Sequence, residues 1–332
     1  MYGPHGFYRT GSGPAAHFRT SVHASPLFAE AVAVLLREVD AALGHPAEIC
    51  LVDMGAGRGE LLEAVRAQCA EDSIAARLSL IGVDIAPRPD ALADEIAWRG
   101  ELPDTFTGLL IANEWLDNVP FDVAQMTPNG WRIVEVDQAG AERIGAAPSA
   151  EQSGWLAQWW PLTEHPDEPV PGQRAEIGVE RDAAWRAAIG SISRGLAVAF
   201  DYSHSKADRP AFGTLTAYRA GRQCEPIPDG SCDITAHVAL DSCAKAGSTA
   251  DWTVLTNQRS LLQTLSVSGE RPPLERAHTD PLGYLRALSR ASAAAELTDL
   301  AGLGGFGCLI QSVGCPVPVP LRGLPRHEPA PK

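Results

Sequence analysis

Basic residues are scarce in this chain. Lys and Arg number 27 against 41 Asp and Glu, a formal net charge of −14 over 332 residues. That balance matches nucleic acid and anionic membranes poorly, and it favours basic partners. Long apolar runs are missing too. No stretch approaches the ~18 consecutive apolar residues of a membrane span. The opening Met1-Tyr2-Gly3-Pro4-His5 holds no apolar signal core. The expectation is a cytoplasmic protein with no membrane insertion. Seven cysteines include no C-x-x-C pair. An odd count without paired spacing reads as free thiols, and neither a disulfide framework nor a metal site is expected. Internal repeats are absent. The length allows one large or two modest domains and a substantial core. Hydrophobic residues at 45% and charged residues at 20% are ordinary for a globular chain.

The most informative stretch is Ile49-Cys50-Leu51-Val52-Asp53-Met54-Gly55-Ala56-Gly57-Arg58-Gly59-Glu60-Leu61-Leu62. An apolar run of strand length leads into glycines, and Leu61, Leu62 and Val65 open a helical pattern. That is strand, tight turn and helix, the first unit of a nucleotide-binding α/β sheet. Gly55, Gly57 and Gly59 let the turn visit positive φ and let backbone lie close to a ligand. A dinucleotide fingerprint reads G-x-G-x-x-G and seats a pyrophosphate. Here the spacing is G-x-G-x-G, flanked by Asp53 and Glu60. Each carboxylate beside a pyrophosphate would cost roughly 1 kcal/mol or more even in a water-like dielectric. The pair suits a ligand with a positive charge and no phosphate, which favours S-adenosylmethionine (SAM) over a dinucleotide. The alternative is a glycine turn that binds nothing.

Pro26 opens a helix through about Leu43, with Phe28, Val32, Leu35, Leu36 and Val39 at helical spacing and Gly44 as its stop. Leu78–Ile85 reads as the second buried strand. It carries Asp84, 25 residues beyond Gly59, placed to accept both ribose hydroxyls of an adenosine ligand, or simply a solvated strand-end carboxylate. A short helix is expected around Ala91–Trp98. Phe106–Ala112 is the next strand and delivers Asn113-Glu114-Trp115-Leu116-Asp117-Asn118 beyond its carboxyl end, where open α/β sheets bind ligands. Helix capping and a solvated turn would explain the same residues. Val123–Met126 and Trp131–Val136 flank Pro128-Asn129-Gly130, a hairpin signal. From about Gly140 to Arg181 the periodicity is lost, and Trp155, Trp159 and Trp160 read as packing. Leu196–Phe200 is a strand leading into Asp201-Tyr202-Ser203-His204. Asp233 is expected to cap a helix. Trp252–Leu255 and Phe306–Val313 read as strands, Asn257–Leu265 and Pro281–Leu297 as helices. The Pro-rich tail from Pro316 is expected to be disordered.

Six segments together resemble the MidA-like family of SAM-dependent methyltransferases, which includes the mitochondrial complex I assembly factor that dimethylates an arginine. Tyr2-Gly3-Pro4-His5-Gly6-Phe7-Tyr8 is similar to the family's L-Y-x-P-x-x-G-Y-Y, and His17-Phe18-Arg19-Thr20-Ser21 to G-D-F-x-T-S. Leu51–Gly59 resembles L-V-E-x-G-P-G-R-G, and Asn113–Pro120 resembles N-E-x-x-D-A-L-P. Asp201-Tyr202-Ser203-His204 is similar to D-Y-G-H. Gly213-Thr214-Leu215 with Asp233-Ile234-Thr235-Ala236-His237-Val238 is similar to G-T-L followed by D-I-T-A-H-V. Two family acids are replaced, by His17 and His23, and the chain starts where the family has a preceding helix.

The resemblance implies an α/β fold: a Rossmann-like class I SAM-dependent methyltransferase sheet with helices on both faces and an inserted, mostly irregular or helical subdomain. The expected organisation is a cofactor-covering segment and helix over 1–48, a SAM-binding core over 49–139 and an insertion or lid over 140–194. The rest of the core follows over 195–315 and the tail over 316–332. Phe18, Thr20 and Ser21 become cofactor contacts beside Asp53, Gly55, Gly57, Gly59, Asp84 and Asn113. For an arginine acceptor, Glu114 and Asp117 are the expected catalytic carboxylates, and His237 or His204 could take the proton. A protein substrate, possibly a respiratory complex subunit, is implied, and nothing fixes an oligomeric state. The other readings are a small-molecule methyltransferase, a SAM-binding assembly factor without transfer, and a dehydrogenase.

Overall fold

The computed structural model describes residues 20–160 and 170–325. Within these, 20–113, 191–200 and 249–325 form one compact unit, and 114–160, 170–190 and 201–248 form another.

The first unit is built on a seven-stranded sheet. Its strands are β1 (Ile49–Met54), β2 (Leu78–Val83), β3 (Ile96–Arg99), β4 (Phe106–Asn113), β5 (Ile192–Asp201, whose last residue groups with the other unit), β6 (Trp252–Asn257) and β7 (Gly307–Val313). The sheet order is β6-β7-β5-β4-β1-β2-β3. β1 runs parallel to β2 and β4, β2 to β3, and β4 to β5, while β6 and β7 are antiparallel. The seventh strand enters between β5 and β6, a departure from the 3-2-1-4-5-6 order of dinucleotide-binding sheets. All six residues of β1 are buried, as expected for a central parallel strand covered on both faces.

Helix α1 (Pro26–Ala42) starts where the sequence predicts. The Ser25 hydroxyl accepts from Leu27 N, and Pro26 occupies the first helical turn, where its missing N–H costs nothing. Phe28, Val32, Leu35, Leu36 and Val39 are buried in the core, and the Phe28 ring meets Phe200 edge-on at 5.2 Å. Helices α2 (Glu60–Cys69), α3 (Gln258–Thr264) and α4 (Pro281–Leu297) follow, α3 capped by Asn257 and α4 by Asp280.

Two elements differ from expectation. The Ala91–Trp98 stretch supplies the edge strand β3 instead of a helix, pairing Ile96 to Leu80 and Trp98 to Gly82. Four residues are too few to display an alternation. Past Pro316, Val319–Gly323 form a 3-10 turn that buries Leu321 in the core.

The other unit contains a four-stranded antiparallel sheet in the order Glu142–Ile144, Gly130–Val136, Asp122–Thr127, Arg174–Ile177. Its hairpin turns at Gly130, with φ at 88°. The Ala150–Trp159 helix carries a full capping box from Ser149 and Gln152. Trp155, Leu156 and Trp160 pack with Ala124, Ala175, Ile177 and Ala239, and the Trp155 indole donates to Asp182. The tryptophan group is therefore core, and residues 140–181 include regular elements where no period was legible. Asp233 begins a strand, Asp233–Thr235, paired with Thr216–Arg219; the nearby helix starts only at Leu240. A distant partner strand overrides the capping signal there.

Candidate active site

The glycine turn between β1 and α2 is held by backbone and by one carboxylate. Gly55, Gly57 and Gly59 have φ of 68°, 59° and 81°, values open to glycine and strained for other residues. Gly59 has a second constraint, since a Cβ there would lie 2.5 Å from Leu92 Cδ1. A Cβ on Gly57 would meet nothing closer than Glu60 Oε2 at 3.8 Å, so the backbone there is open to a close approach. Gly55 N donates to Val83 O, and Gly57 N donates to Asp84 Oδ2 at 2.9 Å. Asp84 Oδ1 accepts from Ala86 N. Asp84 thus braces the glycine turn against the end of β2, and burial pushes its carboxyl above the usual range.

Asp53, at the end of β1, is only 4% exposed. Burial, then Asp84, then Glu60 push its carboxyl up to about 8. At neutral pH it is mostly protonated. The expectation of a standing negative charge at Asp53 is corrected: the charge is suppressed until something positive stabilises it. A sulfonium or ammonium is such a group, so the turn fits SAM: open backbone at Gly57, and acids whose charged neighbours are themselves acidic.

Thr20 and Ser21 sit at the start of the short Ser21–Ala24 helix. Ser21 is buried and donates to Gln258 Oε1, a contact that ties it to α3. Thr20 Oγ1 lies 2.7 Å from His23 Nδ1, and His23 Nε2 lies 3.4 Å from Glu60 Oε1. His23 therefore leans on the carboxylate that begins α2. Phe18 and His17 lie outside the described residues.

Asn113 ends β4, paired with Phe200. The chain then enters the turn that carries Glu114 and Asp117. Glu114 has φ of 52°, a left-handed conformation uncommon for a residue with a side chain. Asn118 Nδ2 donates back to Glu114 O at 2.9 Å, and Leu116–Asn118 form one 3-10 turn whose own N-cap, Trp115, makes no side-chain cap. The cap comes from Asp201: its Oδ2 accepts from Leu116 N at 3.0 Å and Asp117 N at 3.1 Å. Asp117 Oδ2 accepts from the Thr235 hydroxyl. Burial pushes the Asp117 carboxyl up to about 6, against the opposing pull of Thr235 and Arg181.

Arg181 was not legible as a site residue. It is 2% exposed and lies on the Val179–Gly190 helix. Its guanidinium donates to Asp117 O, Ala236 O and His237 O, and stacks 4.1 Å above the Phe121 ring. It therefore gathers Asp117 and His237, two of the expected catalytic residues, by their backbones. His237 stacks on Tyr202 at 5.6 Å between ring centroids, and its N–H donates to Thr214. Burial and Arg181 lower its pKa, which favours the neutral ring.

His204 is corrected as a proton acceptor. Arg209 donates to its Nδ1, which leaves the proton on Nε2, and burial with Arg209 drives its pKa down to about 3. Its interactions with Arg209 and Trp160 make it a packing and hydrogen-bonding group.

Comparison with known proteins bears on the family, the fold and the cofactor. A family model described as "Putative S-adenosyl-L-methionine-dependent methyltransferase" matches residues 31–257. Among curated proteins, the Drosophila melanogaster "Protein arginine methyltransferase NDUFAF7 homolog, mitochondrial" is 24% identical over 264 residues, covering 68% of this chain. The chain spans 59% of that relative's length. A COG1565 superfamily member from Burkholderia thailandensis, solved bound to S-adenosyl-homocysteine, superposes with a TM-score of 0.74 at 25% identity, over 93% of this chain and 82% of that one. A native crystal structure of a COG1565 superfamily protein from the same organism gives 0.72 at 26% identity, over 93% and 84%. The match covers more than half of the chain and includes the glycine turn, Asp84 and the Glu114–Asn118 turn: this chain belongs to the MidA-like family of SAM-dependent methyltransferases.

Proposed function

We propose that this methyltransferase acts on the guanidinium of an arginine in a protein substrate. The observation that carries the reading is the acidic turn after β4, where Glu114 is held in a left-handed conformation and Asp117 follows three residues later. The name of the Drosophila relative, a protein arginine methyltransferase, supports it. When bound, SAM supplies a methyl group already activated by a positively charged sulfur. The residues of the chain have two tasks. The glycine turn, Asp53, Asp84 and Asn113 hold the donor. Glu114 and Asp117 orient the acceptor, and alignment of this kind is worth up to roughly 7–11 kcal/mol in favourable cases. Carboxylates suit a guanidinium because they bind its planar fork in pairs and localise its charge. The guanidinium has a pKa above ~12, so a proton must leave as the new bond forms. Glu114 is the proposed acceptor of that proton, with neutral His237 the other base in this unit.

The test is transfer of labelled methyl from SAM in a lysate. Label in a protein band, hydrolysing to methylarginine, supports the reading; label confined to the small-molecule extract replaces it with a small-molecule methyltransferase. Glu114→Gln is expected to keep SAM affinity and to lose transfer by about 100-fold or more. Unchanged turnover removes Glu114 from the mechanism. A second reading, a SAM-binding factor without transfer, is favoured by one observation: His23 stands where the family has an acid and engages Glu60. It expects donor binding with no labelled product.

A further inference from the structure

His237 is fixed at three points. Its N–H donates to Thr214 Oγ1 at 2.8 Å, its carbonyl accepts from Arg181 Nη1 at 2.8 Å, and its ring stacks on Tyr202 with centroids 5.6 Å apart. None of these contacts uses a ring nitrogen. A histidine held by its main chain and one ring face keeps its nitrogens for other groups.

What holds Thr214 is a buried carboxyl. Glu176 lies on the Arg174–Ile177 strand, paired opposite Val123, and is 3% exposed. Its Oε1 accepts from Thr214 N at 2.5 Å and from Leu215 N at 3.0 Å. The fit is close enough to bar a side chain at residue 213. A Cβ on Gly213 would lie 2.5 Å from Glu176 Oε1, and its φ of 74° also favours glycine. Residues 213–215 belong to no helix or strand, so their half-buried N–H groups need an acceptor from elsewhere. The same strand grips the preceding residues too, through Arg174 N donating to Ala211 O. Glu176 Oε2 is buried and meets no donor among the described residues, so Oε1 alone does the holding. Burial pushes the Glu176 carboxyl up, and the two N–H groups and Arg181 pull it back.

We propose that Glu176 is a positioning residue for His237. It fixes the Gly213-Thr214-Leu215 loop by two N–H groups, and the Thr214 hydroxyl in turn fixes the His237 main chain. Every link is a hydrogen bond of 3.0 Å or less. Glu176 does not itself meet the acceptor, because the residue and its spare oxygen are closed to solvent. The links join residues 38 and 23 positions apart, which is why neither shows in the sequence.

That His237 serves transfer rests on the function proposed above; its placement by Glu176 does not. The test therefore reads the ring directly. In the full-length protein the His237 imidazole protons carry a ring-current shift from Tyr202, and their NMR signals are assigned by loss in His237→Gln. Thr214→Val keeps the shape of the side chain and removes the acceptor. It should move these signals towards those of an unstacked imidazole and leave SAM affinity within about twofold. Transfer of labelled methyl should fall about 10-fold or more, since a misplacement of ~1 Å can cost about 100-fold. Thr214→Ser, which restores the acceptor, should return both. Glu176→Ala should reproduce Thr214→Val, and Glu176→Gln, which keeps an oxygen for the two N–H groups, should match the wild type. Where Glu176→Ala does not fold, Glu176→Asp withdraws the acceptor by one methylene and keeps the carboxyl. His237 signals unmoved in Thr214→Val, or in a folded Glu176→Ala or Glu176→Asp, overturn the proposal. So does a Glu176→Gln protein whose signals move as far as those of Glu176→Ala. If the signals move as expected and transfer does not change, the positioning stands and His237 leaves the mechanism.

Discussion

Both the glycine turn and the Glu114–Asn118 turn crowd acids at the end of a parallel strand, and they resolve the crowding differently. At the glycine turn the charges acting on Asp53 come from Asp84 and Glu60, all of one sign, and the outcome is a carboxyl pushed up to about 8. At the second turn a buried arginine is built in, and Asp117 rises only to about 6 despite being as deeply buried. Arg58 in the first turn is exposed and is not among the charges acting on Asp53, which is the condition of a site that receives a cation. The second turn already contains a cation, Arg181, that balances its buried Asp117. Removing a cation should therefore damage the protein at one turn, and adding a cationic ligand should stabilise it at the other.

The largest effect should come from breaking the internal pair. Arg181→Met leaves Asp117, Asp201 and Glu176 buried without a countercharge and strips three carbonyls of their donor. Breaking a buried pair by removing one partner costs about 3–5 kcal/mol. Urea unfolding should show a loss of that order, and a loss below about 1 kcal/mol would mean that Arg181 is not the countercharge.

The next effect belongs to Asp53 and sharpens the contrast. A cationic donor favours ionised Asp53, so binding below about pH 8 must expel a proton. SAM affinity should then rise with pH, by up to about tenfold per unit, and level off above about 8. Asp53→Asn should weaken binding by about tenfold, ~1.4 kcal/mol, and flatten the pH dependence. Stability of the ligand-free protein runs the other way. An acid raised from 3.8 to about 8 favours the folded state while protonated, so its contribution is full below about pH 4 and is lost as pH rises towards 8. Calorimetric titrations with SAM at several pH values check both signs; an affinity independent of pH would place Asp53 away from the donor's charge.

The comparison also explains what could be read before folding. The glycine turn is local: strand, glycines and helix α2 lie within about twenty consecutive residues, and the period of each element is visible in sequence. Helix α1 was equally plain, since its start at Pro26 and its apolar face repeat over seventeen residues. The acidic turn shows only Glu114 and Asp117. Its cap, Asp201, is 85 residues from Leu116, and Arg181 lies 64 residues from Asp117. Arg181 also engages backbone carbonyls, which carry no residue-specific signal. The same reason hid the state of His204: its tautomer is fixed by Arg209, five residues away in a contact that only the fold creates. Strand-to-strand pairing misled at Asp233, where local capping chemistry lost to a ladder with Thr216–Arg219.

The smallest expected effect tests whether the acidic turn is shaped for chemistry or for stability. Glu114 holds φ of 52°, a conformation that disfavours side chains by roughly 1–2 kcal/mol and glycine hardly at all. Part of that relief is offset by glycine's greater freedom in the unfolded chain. Glu114→Gly should therefore stabilise the protein by about 0.5–1 kcal/mol while abolishing transfer. Strain retained at a residue whose removal would stabilise the fold is what a functional constraint looks like. If Glu114→Gly instead destabilises, the Glu114 carboxylate is holding the turn together, and its place in the mechanism passes to Asp117 and His237.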